Sequence, residues 1–441
     1  MLGCGNRSIN GTPPAAAPAA QRPKGDLMGQ PLLAGLIAAV VGFFTAFALV
    51  LSGLHAVGAT PAEAASGLFV LCLGMGLLGL YFSLRHRLPI GITLSTPGAA
   101  LLAGSGLPRG GFPAAVGAFL LAGGLIVVTG LSRRLTGWVN AVPRQLAAGM
   151  LAGILLPLCT VPVRALAHIP GQAVPVVLVW AAAARFLPRW AVPLATAAAA
   201  VALVVDPPPG GLRLGGVAPQ LTFTAPHFTF GAMVGIGIPL YLVTMASQNI
   251  PGIAVLAANG YEAPVRPVLL GTGGASVLGS FAGGLPLNLA AITAAMIAGP
   301  AAHRDPARRW IAAAANAAGY LLLGLGAAFV TALSAAASPL LVETVAGLAL
   351  LGALGTSLAT ALSGERHREA AVVAFLVSAS GQDVAGIGSP FWGLLAGLAF
   401  LGLRHHRSAP DAVPAAAQTP APAPDPVPPA APTVPTAHSA P

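Results

Sequence analysis

The side chains that could bind a solute are few, and they lie within long apolar segments. The densest group is the run 244–249 (Thr-Met-Ala-Ser-Gln-Asn), which Ile-Pro-Gly follows. Its hydroxyl and amide groups can donate hydrogen bonds to a carboxylate or cap a helix end. We therefore place Ser247, Gln248 and Asn249 in a candidate substrate site, with an ordinary capped helix terminus as the alternative.

Two other polar groups stand beside breaks in apolar segments. One break is Ser-Thr-Pro-Gly at 95–98, and the other runs from Gly-Gly at 283–284 through Pro286 to Asn288 and Thr293. Broken backbone at membrane depth is tolerated where it is buried in protein or lines a cavity. A half-helix that starts at such a break directs unpaired amides and a positive dipole end into that cavity. The pattern predicts an anion site, with proline kinks as the alternative, at Ser95, Thr96, Pro97, Gly98, Asn288 and Thr293.

The composition is that of a membrane protein. The 441 residues are 56% hydrophobic and 7% charged, whereas soluble domains carry about 25% charged residues. The net charge of +10 comes from short basic clusters between apolar runs, so topology explains it and we expect no nucleic-acid partner. Cys4, Cys72 and Cys159 lack metal-ligand spacing. We expect no metal, no cofactor and, because no nucleophile, base and acid set is visible, no enzyme.

Fourteen apolar segments can be marked off, of which two are short. Their approximate limits are 31–53, 62–83, 89–104, 112–131, 144–160, 172–187, 190–205, 227–248, 265–282, 286–299, 308–334, 339–361, 370–386 and 389–403. Segments 3 (89–104) and 10 (286–299) are the short, broken ones. Merging each with its neighbour gives twelve, which is the main alternative.

The distribution of basic residues supports fourteen segments with both termini in the cytoplasm. Of the 21 lysines and arginines, only Arg109, Arg164 and Arg213 fall in the predicted outer loops, as the positive-inside rule requires. Ionisable residues within the segments are scarce: Glu63 and Glu343 lie near segment ends, and Asp383 lies between the last two. This scarcity argues against a cation pump.

Seven segments per half place two homologous halves in opposite orientations, an arrangement found in many secondary transporters. Segment 3 ends in AALLAG (99–104) and segment 10 in AAMIAG (294–299). The predicted organisation is an all-α, 7+7 inverted-repeat membrane fold with short broken helices 3 and 10. Its parts are a disordered cytoplasmic N-terminus (1–26), a first repeat (27–205), an external linker (206–226), a second repeat (227–407) and a disordered Pro/Ala-rich tail (408–441).

The same segments carry a family resemblance. The stretches STPGAALL (95–102), TMASQNIPGIAVL (244–256) and AAITAAMIAGPAAHRDPARRW (290–310), with others out to residue 397, resemble the BenE-type benzoate–proton symporters. That resemblance implies uptake of an aromatic carboxylate, benzoate being the namesake, with protons across the inner membrane. It also implies kinship with nucleobase and sulfate permeases, whose site lies between segments 3, 8 and 10. Many members of the family carry histidine where this chain has Leu285.

The sequence-based hypothesis is a proton-coupled symporter of a benzoate-like carboxylate that works by alternating access in the lipid bilayer. The carboxylate is expected between Pro97-Gly98 and Asn288, with Gln248 and Asn249 nearby. Three alternatives stay open: a transporter of another small anion or a nucleobase, a passive anion channel, and a membrane scaffold. A homo-oligomer is compatible with the sequence.

Overall fold

The computed structural model describes residues 29–132, 143–207, 221–382, 384 and 387–407. The predicted tails, most of the predicted linker, Arg213 and Asp383 lie outside these residues. Met1–Leu401 form one compact unit and Gly402–Pro441 a second, of which 402–407 are described.

The first half is helical apart from one short strand. Its elements are α1 (Gly29–Ala56), α2 (Pro61–His86), β1 (Ile92–Leu94), α3 (Thr96–Ala103), α4 (Gly111–Leu131), α5 (Arg144–His168), α6 (Pro170–Phe186) and α7 (Ala191–Val205).

The second half repeats this order, with a strand and a short helix again in third place. Its elements are α8 (Phe230–Ala258), α9 (Val265–Ser280), β2 (Leu287–Leu289), α10 (Ile292–Ala298), α11 (Trp310–Leu325), α12 (Ala327–Ala336), α13 (Pro339–Leu362), α14 (Glu365–Ala379) and α15 (Ser389–Arg407).

Each of the fourteen predicted segments coincides with a helix or with a strand and helix. Among the described residues, seven helices are long and apolar enough to cross a membrane. The count becomes eight if α11 and α12, which meet at a 54° bend, form one span. The bend falls at Gly326, and glycine is a common site of sharp helix bends. The nearly all-helical architecture predicted from the sequence is therefore confirmed.

Three predicted segment ends differ from the structure: α5 continues to His168 where 160 was expected, α14 ends at Ala379 where 386 was expected, and the eighth segment differs most. The eighth segment was expected to end at 248, but α8 continues to Ala258 and passes through two π-helical turns, Met233–Gly237 and Met245–Asn249. The polar run lies inside the helix because its amide side chains bond to the neighbouring β2 backbone. Such π turns inside α-helices occur frequently at functional sites.

The two strands pair with each other. β1 and β2 run antiparallel, with Ile92 opposite Leu289, Thr93 opposite Asn288 and Leu94 opposite Leu287. The residues that flank the strands continue the ladder, since the Ala290 amide donates to the Gly91 carbonyl at 2.9 Å. Backbone that leaves a helix within a bilayer must find partners inside the protein. The two broken segments supply these partners to each other.

Small residues set the closest helix contacts. α1 and α2 pack on α11, α4 packs on α9, and α5 packs on α13 and α14. At Gly153 of α5, an added Cβ would lie 2.5 Å from the Phe375 carbonyl oxygen and 2.7 Å from the Ser378 Cβ of α14. Backbones can approach so closely only where the side chain is absent.

Replacing Gly153 with valine should therefore destabilise the packing of α5 on α14. Overpacking of this kind costs about 1–3 kcal/mol, so the Gly153→Val protein should unfold at a lower temperature in detergent. Gly352→Val on α13 is the matched control, because nothing lies within 4 Å of an added Cβ there. Equal Tm values for the two variants would contradict the packing described.

Candidate substrate site at the crossing of the two half-helices

The first half-helix begins with a capped turn. Ser95 is the N-cap of α3, and its Oγ accepts a hydrogen bond from the Gly98 amide at 3.1 Å. Pro97 lies in the first turn, where the missing amide hydrogen costs no helical bond. Ser95, Pro97 and Gly98 are buried and Thr96 is half-buried. The start predicted at Pro97-Gly98 is thus located one residue earlier, at Thr96.

The second half-helix begins with an uncapped turn. Ala291 is its N-cap and offers no side-chain acceptor, so the Gln248 Oε1 of α8 accepts the Ala291 amide at 3.3 Å. Among the described residues, no acceptor is present for the amides of Ile292, Thr293 and Ala294. Ile292 is 72% exposed although it lies in the interior of the sequence segment. The start of α10 therefore faces open space with free donors.

The predicted start of the second half-helix at Asn288 differs from the structure. Asn288 lies in β2, and the helix begins four residues later at Ile292. With its oxygen towards Ser95, the Asn288 amide accepts from the Ser95 N–H at 2.9 Å and donates to the Leu289 carbonyl at 2.8 Å. Asn288 therefore ties β2 to the start of α3.

Side chains of α8 and α9 satisfy the rest of the β2 backbone. The Asn249 Oδ1 accepts the Leu289 amide at 2.9 Å, and its Nδ2 donates to the Met245 Sδ at 3.2 Å. On the other side, the Ser276 Oγ of α9 accepts the Leu287 amide at 2.8 Å. The groups of Asn249 are thus engaged with the protein.

Two groups on one face of α8 are not engaged in this way. The Gln248 Nε2 has no acceptor among the described residues, and the hydroxyl of Thr244 is buried without a partner. Positions four apart share a helix face. Ser247, by contrast, donates its hydroxyl to the Val243 carbonyl of its own helix. Among the predicted site residues, Gln248 is therefore the side-chain amide whose Nε2 has no acceptor in the described part of the chain.

A tyrosine that sequence inspection missed links both broken segments. The Tyr320 side chain of α11 hydrogen-bonds with those of Thr93 in β1, Thr293 in α10 and Asn316 in α11. Asn316 in turn donates to the Gly35 carbonyl of α1 at 3.4 Å. The available signal was the i, i+4 spacing of Asn316 and Tyr320 in an alanine-rich segment. Of their partners, Thr93 and Gly35 lie more than 200 residues away in the chain and Thr293 lies in a different segment, so spacing alone could not identify them.

A small cavity adjoins this tyrosine. It has a volume of about 10 Å³ and partly aromatic walls, with Phe43 and Phe47 of α1, Thr93 and Tyr320 among its lining residues. A cavity of this size has room for about one water molecule, so it does not admit an aromatic ring. None of the nine predicted site residues lines it.

We call the place where the two broken segments (92–103 and 287–298) meet α8 (230–258) the crossing. The electrostatic potential at the crossing comes mainly from backbone dipoles. No charged side chain occurs in 92–103, 230–258 or 287–298. An anion here would meet helix amides and hydroxyl or amide dipoles instead of a fixed cation. Preorganised dipoles of this kind act strongly where water is excluded.

The two half-helices differ in how they are covered. α3 packs on α5 as well as on α1 and α8, whereas the principal neighbours of α10 are α1, α8 and α11. Ile292 and Ala295 leave one face of α10 exposed. The crossing is therefore closed at the end of α3 and open along α10.

Comparison with known proteins identifies similar sequences. The family model described as benzoate membrane transport protein (BenE) matches residues 26–403. The inner membrane protein YdcO of Escherichia coli is 41% identical over 83% of this chain and 93% of its own length. The benzoate membrane transport protein of Acinetobacter baylyi is 29% identical over the same shares.

Solved structures share the fold at low sequence identity. The transmembrane domain of the cyanobacterial bicarbonate transporter BicA aligns with a TM-score of 0.59 and 16% identity, covering 84% of this chain and 97% of that one. SLC26A9 aligns with a TM-score of 0.58 and 15% identity, covering 86% of this chain and 65% of that one. The chain therefore has the 7+7 inverted-repeat transporter fold.

Removing the Asn249 acceptor should weaken the crossing. Asn249→Leu leaves the buried Leu289 amide unpaired, which costs about 1–3 kcal/mol. Ser247→Ala is the control: its hydroxyl bonds only within its own helix, so a change of about 0.5 kcal/mol or less is expected. Thermal unfolding of the purified protein in detergent measures both. Equal Tm values for Asn249→Leu and Ser247→Ala would contradict the stabilising hydrogen bond from the Leu289 amide to Asn249.

Proposed function

We propose that this chain, which belongs to the benzoate membrane transport protein family, takes up an aromatic carboxylate by proton-coupled symport. It is a multi-pass membrane protein with an anion-transporter fold, and the carboxylate substrate and proton coupling are the proposal. The observation that carries it is the antiparallel pairing of β1 with β2, which joins both broken segments in one uncharged region and leads into α3 at one end of the ladder and into α10 at the other.

The carboxylate would bind where donors remain free. These are the first-turn amides of α10, the Gln248 Nε2 and the half-buried start of α3 at Thr96. The Thr244 hydroxyl, on the same face of α8 as Gln248, offers a further donor. Ser95, Asn249, Asn288 and Thr293 would hold this arrangement in place. The aromatic ring would lie on the apolar side chains around the open face of α10, such as that of Ile292.

Proton coupling would not use the position at which many relatives carry histidine. Leu285 occupies it here and is 1% exposed, so an apolar side chain packs there. The segments that cross at the site contain no titratable carboxylate. The proton would therefore travel on the substrate itself or through a group nearer the membrane surface.

Alternating access would move one helix set against the other. We place the repeats at 27–205 and 227–407, with both termini in the cytoplasm of the cell and the linker outside. In that orientation, α10 points towards the basic loop at 301–310, and the open face of α10 corresponds to access from the cytoplasm. The crossing would open to the outside of the cell if the exposed face of α10 became covered and α3 separated from α5.

A second candidate is a transporter of another small anion. It is favoured by the donors at the crossing, which suit any carboxylate or similar anion. Nucleobases, and passive flux through a channel, would use the same donors. Substrate competition and concentrative uptake separate these alternatives.

Purified protein in liposomes should accumulate radiolabelled benzoate when an inward proton gradient is applied. Accumulation should be saturable and should collapse with a protonophore, because the gradient supplies the driving force. A panel of aromatic acids, small inorganic anions and nucleobases added as competitors ranks the substrates. Protonophore-insensitive equilibration would indicate a channel instead.

Replacing Gln248 with alanine should abolish saturable benzoate uptake, because the change removes a free donor and the bond to the Ala291 amide. Asn288→Ala should do the same by releasing the start of α3. Gln172→Ala is the matched control, since Gln172 is half-buried away from the crossing and bonds to Asp206 at the end of α7. Normal uptake by well-expressed Gln248→Ala and Asn288→Ala proteins would exclude this site.

A further inference from the structure

A second cavity collects ionisable side chains in a protein whose spans otherwise have few. It lies where α1 and α3 end and α13 begins, with a volume of about 600 Å³. Its wall includes His55 of α1, Arg164 of α5 and Glu343 of α13. Three helices thus each contribute one ionisable group to one space.

These three groups are available to a ligand. His55 and Arg164 are exposed and Glu343 is half-buried. Among the described residues, no ion pair joins Arg164 to Glu343, and no side-chain hydrogen bond engages His55, Arg164 or Glu343. The backbone carbonyl of Arg164 pairs with the His168 Nδ1 at 2.8 Å.

The other charged groups of the lining helices point elsewhere. Glu63 of α2 caps its own helix at Thr60 and accepts from Thr224. Arg144 lies at the opposite end of α5, and Arg85 and His86 lie at the opposite end of α2. His168 pairs with the Arg164 carbonyl and does not line the cavity. α3 and α12 carry no titratable residue. The charge in the cavity is therefore set by His55, Arg164 and Glu343, of which Arg164 alone is a permanent cation.

The rest of the wall is largely apolar. Leu51, Ile154, Leu158, Val161 and Val342 line the cavity, as does Ala103 at the end of α3. α3 has eight residues, so its two ends are about 12 Å apart at 1.5 Å per residue. One end opens the candidate site and the other borders the cavity.

We propose that this cavity is a loading station, that is, a site that binds the carboxylate substrate before the substrate reaches the crossing. Arg164 binds the carboxylate, the apolar wall contacts the ring, and the negative charge of Glu343 repels the substrate. This proposal rests on the proposed function. An arginine guanidinium suits a carboxylate because it offers two parallel donors, and the attraction between the two charges is strongest at low salt. Substrate released from the loading station would travel about the length of α3 to reach the candidate site.

The test is benzoate uptake by liposomes containing Arg164→Gln, with KM and kcat measured at low and high salt. We expect KM to rise about fivefold or more at low salt, with kcat changed less than about twofold. Raising the salt should increase the wild-type KM and leave the Arg164→Gln value nearly unchanged, because the screened charge is already absent.

Three further variants separate charge from packing. Arg164→Lys should retain part of the wild-type affinity, and Glu343→Gln should lower KM because it removes a negative charge. Arg109→Gln, an exposed arginine that does not line the cavity, should behave as wild type. An unchanged KM in Arg164→Gln, or an equal rise in Glu343→Gln, would overturn the station while leaving the transporter intact. Absence of wild-type uptake would remove both proposals.

Discussion

The structure depends on one constraint: peptide groups that leave a helix inside a bilayer must be paired by the protein itself. Two segments of this chain break at equivalent places, and each break would leave a row of amides and carbonyls unpaired in an apolar medium. The antiparallel pairing of β1 with β2 satisfies both rows at once. Asn249, Ser276 and Asn288 satisfy the amides that the short ladder cannot reach. The crossing is thus fixed by a network that spans both halves of the chain.

This network changes the interpretation of the polar residues. Amide side chains in an apolar segment suggest substrate donors, yet most of them bond to backbone. What remains free is a small set of donors at the start of α10, on one face of α8 and at Thr96. A site of this kind would select an anion by the geometry of its dipoles, without a fixed counter-charge. Such a site would release its substrate more readily than one built on a buried arginine, because no strong ion pair must be broken.

The sequence predicted the features that depend on local chemistry. Apolar lengths located the helices, and Pro97 with Gly98 located the start of α3 to within one residue. The extension of α8 to Ala258 was missed because a polar run resembles a helix end until its long-range partners are known. The β1–β2 pair and the links of Tyr320 to Thr93 and Thr293 join residues distant in the chain, and periodicity carries no information about such contacts. Whether the nine predicted residues bind substrate stays a prediction.

The most direct test of the central claim is a structure of the protein with a bromobenzoate, in which anomalous scattering locates the bromine. The account predicts one site at the crossing, with the carboxylate between the starts of α3 and α10 and within hydrogen-bonding distance of the Gln248 amide. Bromine found only in the cavity beside Tyr320, or away from both half-helices, would contradict it.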